Sequence, residues 1–354
     1  MLAEKKNIHK VVHLVPFDVI GGVESAARTM VSVQAAQIDF NVEYIYKKIP
    51  QSKGIKAVYN ILLLLPAVWR LQSLKPDVLI VSLWRSSLVG VFVKLLRPGI
   101  KLVTFIHSER DVHLFDYLFT RASMFLSHQV WADSEATIKG RLSPAQRRRC
   151  RVISFVTRRF EVLPLIVLKP TFIFWGRIHH QKGLDRAIRL FAEVYKKRPE
   201  ARFMIVGPDG GVLSDLKKLC GELDLAESVT FLGSASHDQI VLYASQALFY
   251  LQTSLFEGMA MSVVEAMQMG LVPVVTPVGE IPSYSEDCRN ALIVESDDKA
   301  VEDILSLLGS NDRYQALRTA AIQTWKDKSL YRESVLEACH KIIEDGLSLK
   351  KVAR

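Results

Sequence analysis

Short apolar runs rich in valine, isoleucine and phenylalanine alternate with longer amphipathic stretches along the whole chain, and this alternation restricts the fold more than any other feature. Strand-like runs separated by helical lengths are typical of βαβ units that build a parallel sheet. In the first half the sequence predicts strands near residues 10–16, 41–47, 77–83, 101–107, 129–132 and 151–156. In the second half it predicts strands at 171–176, 202–207, 228–233, 247–252, 272–276 and 291–295.

A proline-containing stretch separates the two halves, with Leu163-Pro164 and Lys169-Pro170. Proline extends neither a helix nor a strand, so this stretch is a predicted linker. The 354 residues suit two domains, at about 150 residues each. We therefore predict an α/β protein of two tandem Rossmann-like doubly wound domains, 1–165 and 166–335, followed by a C-terminal helix and basic tail, 336–354. Ligands of such sheets lie beyond the carboxyl ends of the strands, which predicts a site in the interdomain cleft.

Composition excludes several classes of protein. Hydrophobic residues make up 49% and charged residues 23%, which argues against a disordered chain or a small disulfide scaffold. The four cysteines form no CxxC pair, so we predict no zinc or redox motif and expect a reducing compartment. The amino terminus lacks the apolar stretch of a secretory signal, and the longest apolar run, Ala57 to Trp69, is too short to span a bilayer. We expect a cytoplasmic protein.

Positive charge is concentrated in the first half of the chain. Residues 1–165 carry 24 lysines and arginines against 12 aspartates and glutamates, a net charge of +12. Residues 166–354 carry 22 against 25, a net charge of −3. A basic first domain suggests an anionic partner, which is nucleic acid, acidic lipid or a phosphorylated substrate.

Two motifs between a predicted strand and a predicted helix have features of a phosphate site. The pair Gly21-Gly22 allows close approach of the backbone to a ligand, and the helix after it offers free N–H groups. Glycines kept for steric reasons alone are the alternative. Arg177 and Lys182 lie in a loop that opens a helix at Gly183, where two cations suit a diphosphate. Solvated surface charges are the alternative there.

A third motif, between predicted strands, carries two carboxylates. Glu257 and Glu265 are separated by seven residues, with Gly258 directly after the first. If the helix starts near Met259, Glu257 lies in the loop and Glu265 one or two turns inside the helix. The pair can then contact two parts of one polar ligand, with free backbone N–H groups between them. An acid at a helix start followed by an unrelated surface glutamate is the alternative.

Together these motifs resemble the retaining glycosyltransferases of family 4, which have the GT-B fold and include glycogen synthase-like enzymes and bacterial envelope mannosyl- and glucosyltransferases. The similarity is dense from 171 to 300 and patchy from 10 to 160. The matching pieces are Gly21-Gly22-x-Glu24, Gly176-Arg177-x4-Lys182-Gly183, Val206-Gly207, Phe231-x-Gly233, Glu257-Gly258-x6-Glu265-Ala266-x3-Gly270-x2-Pro273-Val274-Val275 and Gly279-x-x-Pro282.

The resemblance implies a role for each matching position on the donor side. Arg177 and Lys182 would neutralise the nucleotide diphosphate, and Glu265 would hold the ribose hydroxyls. Glu257 would hold hydroxyls of the transferred sugar, together with three backbone amides, those of Gly258, Met259 and Ala260.

On the acceptor side, the resemblance implies that the amides of Gly21-Gly22 approach the phosphate and that His107 lines the acceptor pocket. A core or capping histidine is the alternative for His107. Two departures from the family pattern affect these expectations. Met259-Ala260 stand where the family often has an aromatic residue followed by Gly or Pro, and the stretch 154–157 lacks the Pro-Asn-Gly turn of many members.

The resemblance further implies the reaction and its partners. A UDP- or GDP-sugar donor would lose its nucleoside diphosphate to a glycan or lipid-linked acceptor, in cell-envelope polysaccharide or lipopolysaccharide synthesis. Retention would follow a front-face mechanism without a covalent nucleophile. No metal and no cofactor are expected, and Asp297-Asp298 is interpreted as a helix cap.

Two other classes of function stay open from the sequence. A non-transferring nucleotide-sugar enzyme of the same fold, such as an epimerase, would need acid and base groups in the cleft. A nucleic-acid-binding protein would suit the pI near 9.3. Against the latter, the sequence has no zinc-finger spacing and no basic run interleaved with aromatics.

Two apolar segments of the basic half are edged by cations, and they predict peripheral association with an anionic membrane, on the inner face of the cytoplasmic membrane. The first is Ala57 to Trp69, and the second is Leu88 to Leu96 with Lys94 and Arg97. Core helices with ordinary polar edges are the alternative. The cations around the first segment are Lys53, Lys56 and Arg70.

Overall fold

The chain forms two α/β units, each with its own sheet. The structure, a computed structural model, describes residues 8–18, 22–35, 37–46, 61–108, 110–164 and 169–352. The first unit consists of residues 1–157 and 329–354, and the second of residues 158–328. The chain therefore leaves the first unit once and returns to it near its end.

The sheet of the first unit has seven strands in the order β2-β3-β1-β4-β5-β6-β7. Only β2 and β3 are antiparallel neighbours. The strands are His9–Phe17 (β1), Val33–Ala35 (β2), Ile38–Tyr46 (β3), Val78–Ser82 (β4), Lys101–Ile106 (β5), Gln129–Ala132 (β6) and Cys150–Val152 (β7). The six predicted strands of this half are confirmed, and β2 is an additional edge strand.

Helices cover the faces of this sheet, which is why every residue of β4 is buried. One helix packs closely because Gly90 has no side chain, since a Cβ there would lie 2.9 Å from Val81 Cγ1. A short 3-10 helix occupies Ile61–Leu64. The helices are Gly22–Arg28 (α1), Leu65–Leu74 (α2), Leu83–Leu96 (α3), Leu114–Leu126 (α4), Glu135–Arg141 (α5) and Pro144–Arg147 (α6).

The sheet of the second unit has six parallel strands in the order β10-β9-β8-β11-β12-β13. These are the six predicted strands, at Thr171–Trp175 (β8), Arg202–Val206 (β9), Val229–Gly233 (β10), Phe249–Gln252 (β11), Val272–Val275 (β12) and Leu292–Ile293 (β13). The helices are Leu184–Lys197 (α7), Leu213–Glu222 (α8), His237–Ala244 (α9), Met261–Met269 (α10), Ile281–Tyr284 (α11), Asp297–Leu308 (α12) and Asn311–Lys326 (α13).

The last helix, Tyr331–Val352 (α14), belongs to the first unit. The backbone N–H of Tyr331 donates to the carbonyl of Val156 at 2.7 Å, and Arg151 pairs with Glu337 at 2.6 Å. This helix thus packs on the first sheet and does not form a separate segment. The observed units divide after residues 157 and 328, whereas the predicted domain boundaries are at 165 and 335. The predicted basic tail, 350–354, lies outside the residues whose side chains are described.

The membrane-spanning potential of the helices is low. Within the described residues, none of the helices combines the length and the apolar character needed to cross a bilayer.

Candidate functional site

Two loops at the carboxyl edge of the second sheet are joined by hydrogen bonds. The N–H of Leu255 donates to the carbonyl of Gln181 at 2.9 Å, and Gln181 Nε2 donates to the carbonyl of Phe256 at 2.9 Å. Thr253 Oγ1 donates to the carbonyl of Gly183 at 2.6 Å. These bonds bring the loop after β8 against the loop after β11, and so unite two of the motifs predicted from sequence.

Gly183 is required by this junction. Its φ is +60°, and a Cβ at this position would clash with the carbonyl oxygen of Thr253. We expect Gly183→Ala to lower the free energy of unfolding by about 2 to 4 kcal/mol, from the left-handed backbone and the overpacking together. Urea denaturation measures this loss. Gly221→Ala is the matched control, because Gly221 lies in helix α8 with open space around it; equal stability changes in both variants would contradict the assignment.

Glu257 is held by three donors on one oxygen. Its Oε1 accepts from Lys182 Nζ at 2.7 Å, from Gln252 Nε2 at 3.1 Å and from Ser254 Oγ at 2.6 Å. The side chain is only 7% exposed. Among the described residues none donates to Oε2, so the carboxylate has a fixed orientation and one oxygen available to a ligand.

Gln252, at the end of β11, organises the side chains around Glu257. Its Oε1 accepts from Tyr250 Oη at 2.7 Å and from Ser262 Oγ at 3.1 Å. With these two donors on the oxygen, the amide nitrogen must face Glu257. The sequence analysis did not predict Gln252 and Ser254 as site residues. The run of polar residues at the end of a buried strand and directly after it could have indicated them.

Glu265 lies in helix α10 and accepts from Trp175 Nε1 at 2.8 Å. Burial raises the pKa of this carboxyl to about 6, although the Trp175 hydrogen bond and the charge of Arg158 oppose the shift. Trp175 is the last residue of β8. The strand and the helix thus hold a carboxylate that is close to half-protonated at mildly acidic pH.

This shift gives a pH-dependent prediction. A carboxylate that accepts ligand hydroxyls does so when ionised, and a pKa near 6 means that acid removes the ionised form. At about pH 7.5 the wild type should bind a nucleoside diphosphate more tightly than Glu265→Gln does. We expect the ratio of the two affinities to fall about four-fold when the pH is lowered to about 5.5. Calorimetry on both proteins isolates Glu265 from the titration of the phosphate itself. A constant ratio across this range would contradict the role of the carboxylate.

The backbone between the two glutamates differs from the expectation in one respect. Helix α10 begins at Met261 and not near Met259, because Ala260 adopts a left-handed conformation with φ of 52°. The carbonyls of Gly258 and Met259 accept from the N–H of Glu280 and from Tyr284 Oη, both at 3.0 Å. No described acceptor meets the three N–H groups at 258–260. These N–H groups are therefore available to an anion.

Arg177 follows Gly176 at the end of β8 and is exposed. It forms no ion pair within the described part of the chain, unlike Lys182, whose Nζ lies 2.7 Å from Glu257 Oε1. The two predicted cations of this loop therefore differ, since one is solvated and the other is paired with a predicted site glutamate.

One group of possible metal ligands occurs among the described residues, formed by Asp287, Cys288 and Asp303. Lys299 Nζ already lies 2.5 Å from Asp287 and 3.5 Å from Asp303. The aspartate pair noted in the sequence stands at the start of α12, where Asp297 pairs with Arg186 at 2.7 Å. Both acidic groups thus have a cationic side chain as partner.

In the first unit, His107 follows β5 and its side chain is 5% exposed. Its Nε2 lies 2.9 Å from Ser82 Oγ, and its ring packs on Phe105 with centroids 4.2 Å apart. Burial holds the pKa of His107 well below its usual range, with the nearby His13 and Arg141 acting in the same direction. The ring is thus neutral and enclosed.

The glycine motif of the first unit is described only in part. Gly22 is the first residue of α1, and a Cβ there would have no heavy atom within 4 Å. Packing within the chain therefore does not explain this glycine, and the space beside it is open. Gly21 lies outside the described residues.

The second unit is similar to known proteins. Residues 157–324 match the sequence profile of the family described as "Glycosyl transferases group 1". A relative from Xanthomonas oryzae, GDP-mannose:cellobiosyl-diphosphopolyprenol alpha-mannosyltransferase, is 28% identical over 156 residues, which are 43% of this chain and 41% of the relative. The gpi3 subunit of phosphatidylinositol N-acetylglucosaminyltransferase from Schizosaccharomyces pombe is 33% identical over 112 residues, 32% of this chain and 24% of that protein. The chain thus matches less than half the length of these curated relatives.

The fold of the whole chain is found in solved structures. The crystal structure of HepE from Anabaena in complex with UDP superposes with a TM-score of 0.76 at 15% identity, over 95% of this chain and 100% of that one. Residues 157–324 therefore match the glycosyl transferases group 1 family, in a chain that has the GT-B fold predicted from the sequence.

Proposed function

We propose that this protein is a retaining glycosyltransferase that moves a sugar from a UDP- or GDP-sugar to a hydroxyl of a glycan or lipid-linked acceptor. The observation that supports this most is the arrangement in the second unit, where an oriented Glu257 with one available oxygen lies in the same helix-and-loop motif as Glu265. A nucleoside diphosphate sugar offers hydroxyls at both ends and negative charge between them, which matches two carboxylates separated by free N–H groups.

Each part of the donor has a counterpart in this arrangement. Glu265, oriented by Trp175, accepts the ribose hydroxyls. The N–H groups at 258–260, which the resemblance assigns to the transferred sugar beside Glu257, are also available to the diphosphate between the two glutamates. Glu257 accepts hydroxyls of the sugar through the oxygen that its neighbours leave available. Arg177 and Lys182 supply positive charge to the diphosphate, which for Lys182 means exchanging its bond to Glu257 for one to a phosphate oxygen.

The reaction breaks the bond between the anomeric carbon and the diphosphate oxygen. Negative charge grows on the β-phosphate as positive charge grows on the sugar ring, so cations and N–H groups that face the phosphate lower the barrier. The acceptor oxygen bonds to the anomeric carbon on the face that the diphosphate leaves, and its proton passes to the departing phosphate oxygen. This scheme assigns the charge stabilisation to Arg177 and Lys182 and requires neither a metal ion nor a cofactor.

A product analysis tests this proposal. The purified protein is incubated with UDP- and GDP-linked sugars and with polyprenyl diphosphate-linked glycans as acceptors, and the anomeric configuration of the product is read by NMR. We expect the configuration of the donor to be retained. Turnover without acceptor to a free or epimerised sugar would favour the epimerase-like alternative, and a mobility shift of DNA or RNA at low salt would favour nucleic-acid binding.

Charge and the names of two relatives support the proposed acceptor class. The names of two relatives contain diphosphopolyprenol and phosphatidylinositol, both anionic lipids, and the first 165 residues carry the net charge of +12. A lipid-linked acceptor fits a basic acceptor unit. We accordingly place the reaction in cell-envelope polysaccharide or lipopolysaccharide synthesis, on the cytoplasmic face of the membrane.

A membrane surface would involve parts of both apolar segments of the first unit. Trp69 is 73% exposed, and Leu95 and Leu96 are 62% and 67% exposed, whereas Leu88 and Val93 are buried in the core. Arg70 is paired with Glu43 at 2.9 Å. Lys53 and Lys56 lie outside the described residues, as do residues 57–60. The exposed residues at 69, 95 and 96 are thus available for membrane contact, whereas Leu88 and Val93 of helix α3 are core residues.

Vesicle co-sedimentation measures this association. We expect binding to vesicles that contain anionic lipid, decreasing as salt rises, because exposed apolar side chains and basic charge act together. The variant Trp69→Ser with Leu95→Ser and Leu96→Ser should reduce binding several-fold. The control is Leu242→Ser, a leucine 59% exposed in the second unit. Equal binding to neutral vesicles, or equal loss in the control, would overturn the membrane proposal and leave the transferase proposal in place.

A further inference from the structure

Two histidines share one serine in the interior of the first unit. His13 Nε2 lies 2.8 Å from Ser82 Oγ, and His107 Nε2 lies 2.9 Å from the same oxygen. His13 belongs to β1, Ser82 ends β4 and His107 follows β5, so neighbouring parallel strands bring them together. His13 is 1% and Ser82 is 0% exposed. These contacts involve none of the residues assigned to the donor in the second unit.

The hydrogen-bond capacity of these groups limits how they share protons. A serine hydroxyl has one proton to donate and accepts through its lone pairs, and a neutral imidazole has one N–H and one acceptor nitrogen. Burial lowers the pKa of His13 to about 3 and holds that of His107 well below its usual range, so both rings are neutral. At most one of the two rings can therefore accept the proton of Ser82.

Asp133 decides which ring accepts it. The Oδ2 atom of Asp133 lies 3.9 Å from His107 Nδ1, and its Oδ1 accepts from Thr137 Oγ1 at 2.8 Å, which fixes the carboxylate. At this distance, in a buried environment, a carboxylate favours an N–H over a lone pair on the facing nitrogen. This favours the tautomer of His107 with its proton on Nδ1, which leaves Nε2 as an acceptor.

We propose that His13, Ser82 and His107 form a directed hydrogen-bond relay that ends beside Asp133, in which Ser82 is a positioning residue that fixes the tautomer of His107. His13 donates from Nε2 to Ser82, Ser82 donates to Nε2 of His107, and Nδ1–H of His107 faces Asp133. The reverse direction would place a proton on His13 Nδ1 instead of His107 Nδ1. Both Nδ1 atoms are buried without a hydrogen-bond partner among the described residues, but of the two only that of His107 has a described carboxylate within 4 Å, which compensates part of the cost of a buried N–H.

The backbone directly after Ser82 has a strained conformation. Leu83, the next residue, has a φ of 68°, a left-handed conformation that costs a non-glycine residue about 1 to 2 kcal/mol. The strained turn ends β4 at Ser82 and starts helix α3 directly after it. Such strain persists where the surrounding structure fixes a position, and functional sites are a frequent case.

The effect on catalysis rests on the proposed function, in which His107 lines the acceptor side. With its tautomer fixed, His107 keeps Nε2 on the Ser82 hydroxyl and its Nδ1–H towards Asp133, so the ring has the same orientation in every turnover. His107 then contributes by orientation and not as a general base. Loss of Ser82 should lower kcat and leave the KM for the donor unchanged.

Histidine tautomers are read directly by 15N NMR of the whole protein at neutral pH, independently of activity. We expect Nδ1–H in His107 and Nε2–H in His13. The same tautomer in both rings, the reverse pair, or two charged rings would overturn the relay. These spectra would test it even if the protein transfers no sugar, which would refute the proposed function alone.

Two serine variants test the coupling. Ser82→Ala removes the only side-chain hydrogen bond that the described residues give His13, so its nitrogen shifts should move towards the average of the two tautomers. We expect kcat to fall about 10- to 100-fold, the scale known for groups that orient metal-bound histidines. Ser87→Ala is the control, because Ser87 Oγ is buried without a partner in helix α3. Unchanged His13 shifts or unchanged kcat in Ser82→Ala would overturn the positioning role.

Discussion

Replacing Arg177 or Lys182 by alanine is expected to lower the rate of sugar transfer by roughly a hundred-fold or more, the scale for losing one preorganised group that stabilises charge in the transition state. Both side chains belong to the loop after β8, which hydrogen bonds fix against the loop after β11. Folding should stay intact in Arg177→Ala because Arg177 is exposed, and in Lys182→Ala because Gln252 and Ser254 still donate to Glu257. Steady-state kinetics with a UDP- or GDP-sugar measures the loss.

The control for Lys182 is another lysine with the same kind of pair. Lys196 Nζ lies 2.7 Å from Glu193, as Lys182 Nζ does from Glu257, but the side chain of Lys196 is 66% exposed on helix α7. Lys196→Ala should leave turnover unchanged, since exposed pairs contribute little. Near-normal turnover in both Arg177→Ala and Lys182→Ala would refute the assignment of these cations to the diphosphate.

Removing the two glutamates should have two different effects. Glu265→Ala is expected to weaken binding of the free nucleoside diphosphate about 10- to 100-fold, because hydrogen bonds to a charged group contribute about 1.5 to 3 kcal/mol. Glu257→Ala should leave nucleotide binding nearly unchanged and abolish transfer, since the proposed function assigns Glu257 to the sugar and not to the nucleotide. Calorimetry with the nucleotide alone, followed by a transfer assay, separates the two effects.

The variant Gln252→Leu tests whether the orientation of Glu257 matters in addition to its charge. Gln252 Nε2 donates to Glu257 at 3.1 Å, so its loss leaves the charge of Glu257 but loosens its orientation. The variant should keep nucleotide affinity and lose part of the turnover. Equal loss of nucleotide affinity in Glu257→Ala and Glu265→Ala would show that the two glutamates do not divide the donor between them.

The strands were predictable because their signal is local. Parallel strands with both faces buried are continuous apolar runs, and all twelve predicted runs became strands. The edge strand Val33–Ala35 was missed because three residues show no periodicity and its pairing with β3 is antiparallel. The start of helix α10 was placed two residues early, because the left-handed conformation of Ala260 is not evident from an alanine.

The sequence predicted the charged residues of the candidate site, but it did not predict the contacts that depend on pairing between strands. Glu257, Glu265 and Lys182 stand out in the sequence as charged residues beside glycines. The contacts of Trp175 and Gln252 with these residues depend on the register of β8 against β11. The contact of His13 with Ser82 likewise depends on the pairing of β1 with β4. Such contacts depend on which strands pair and in which register, so local sequence patterns do not reveal them.

Thermal unfolding in the presence of nucleotides tests the central claim most directly, because it needs no acceptor. A ligand that binds the native state at about 100 times its Kd stabilises it by about 2.7 kcal/mol. We predict that UDP or GDP, and the corresponding nucleotide sugar, raises the unfolding temperature of the wild type by several degrees, that Glu265→Ala abolishes most of this rise, and that Glu257→Ala retains it for the free nucleotide. No rise with any nucleoside diphosphate, or the same rise in Glu265→Ala as in the wild type, would contradict the account.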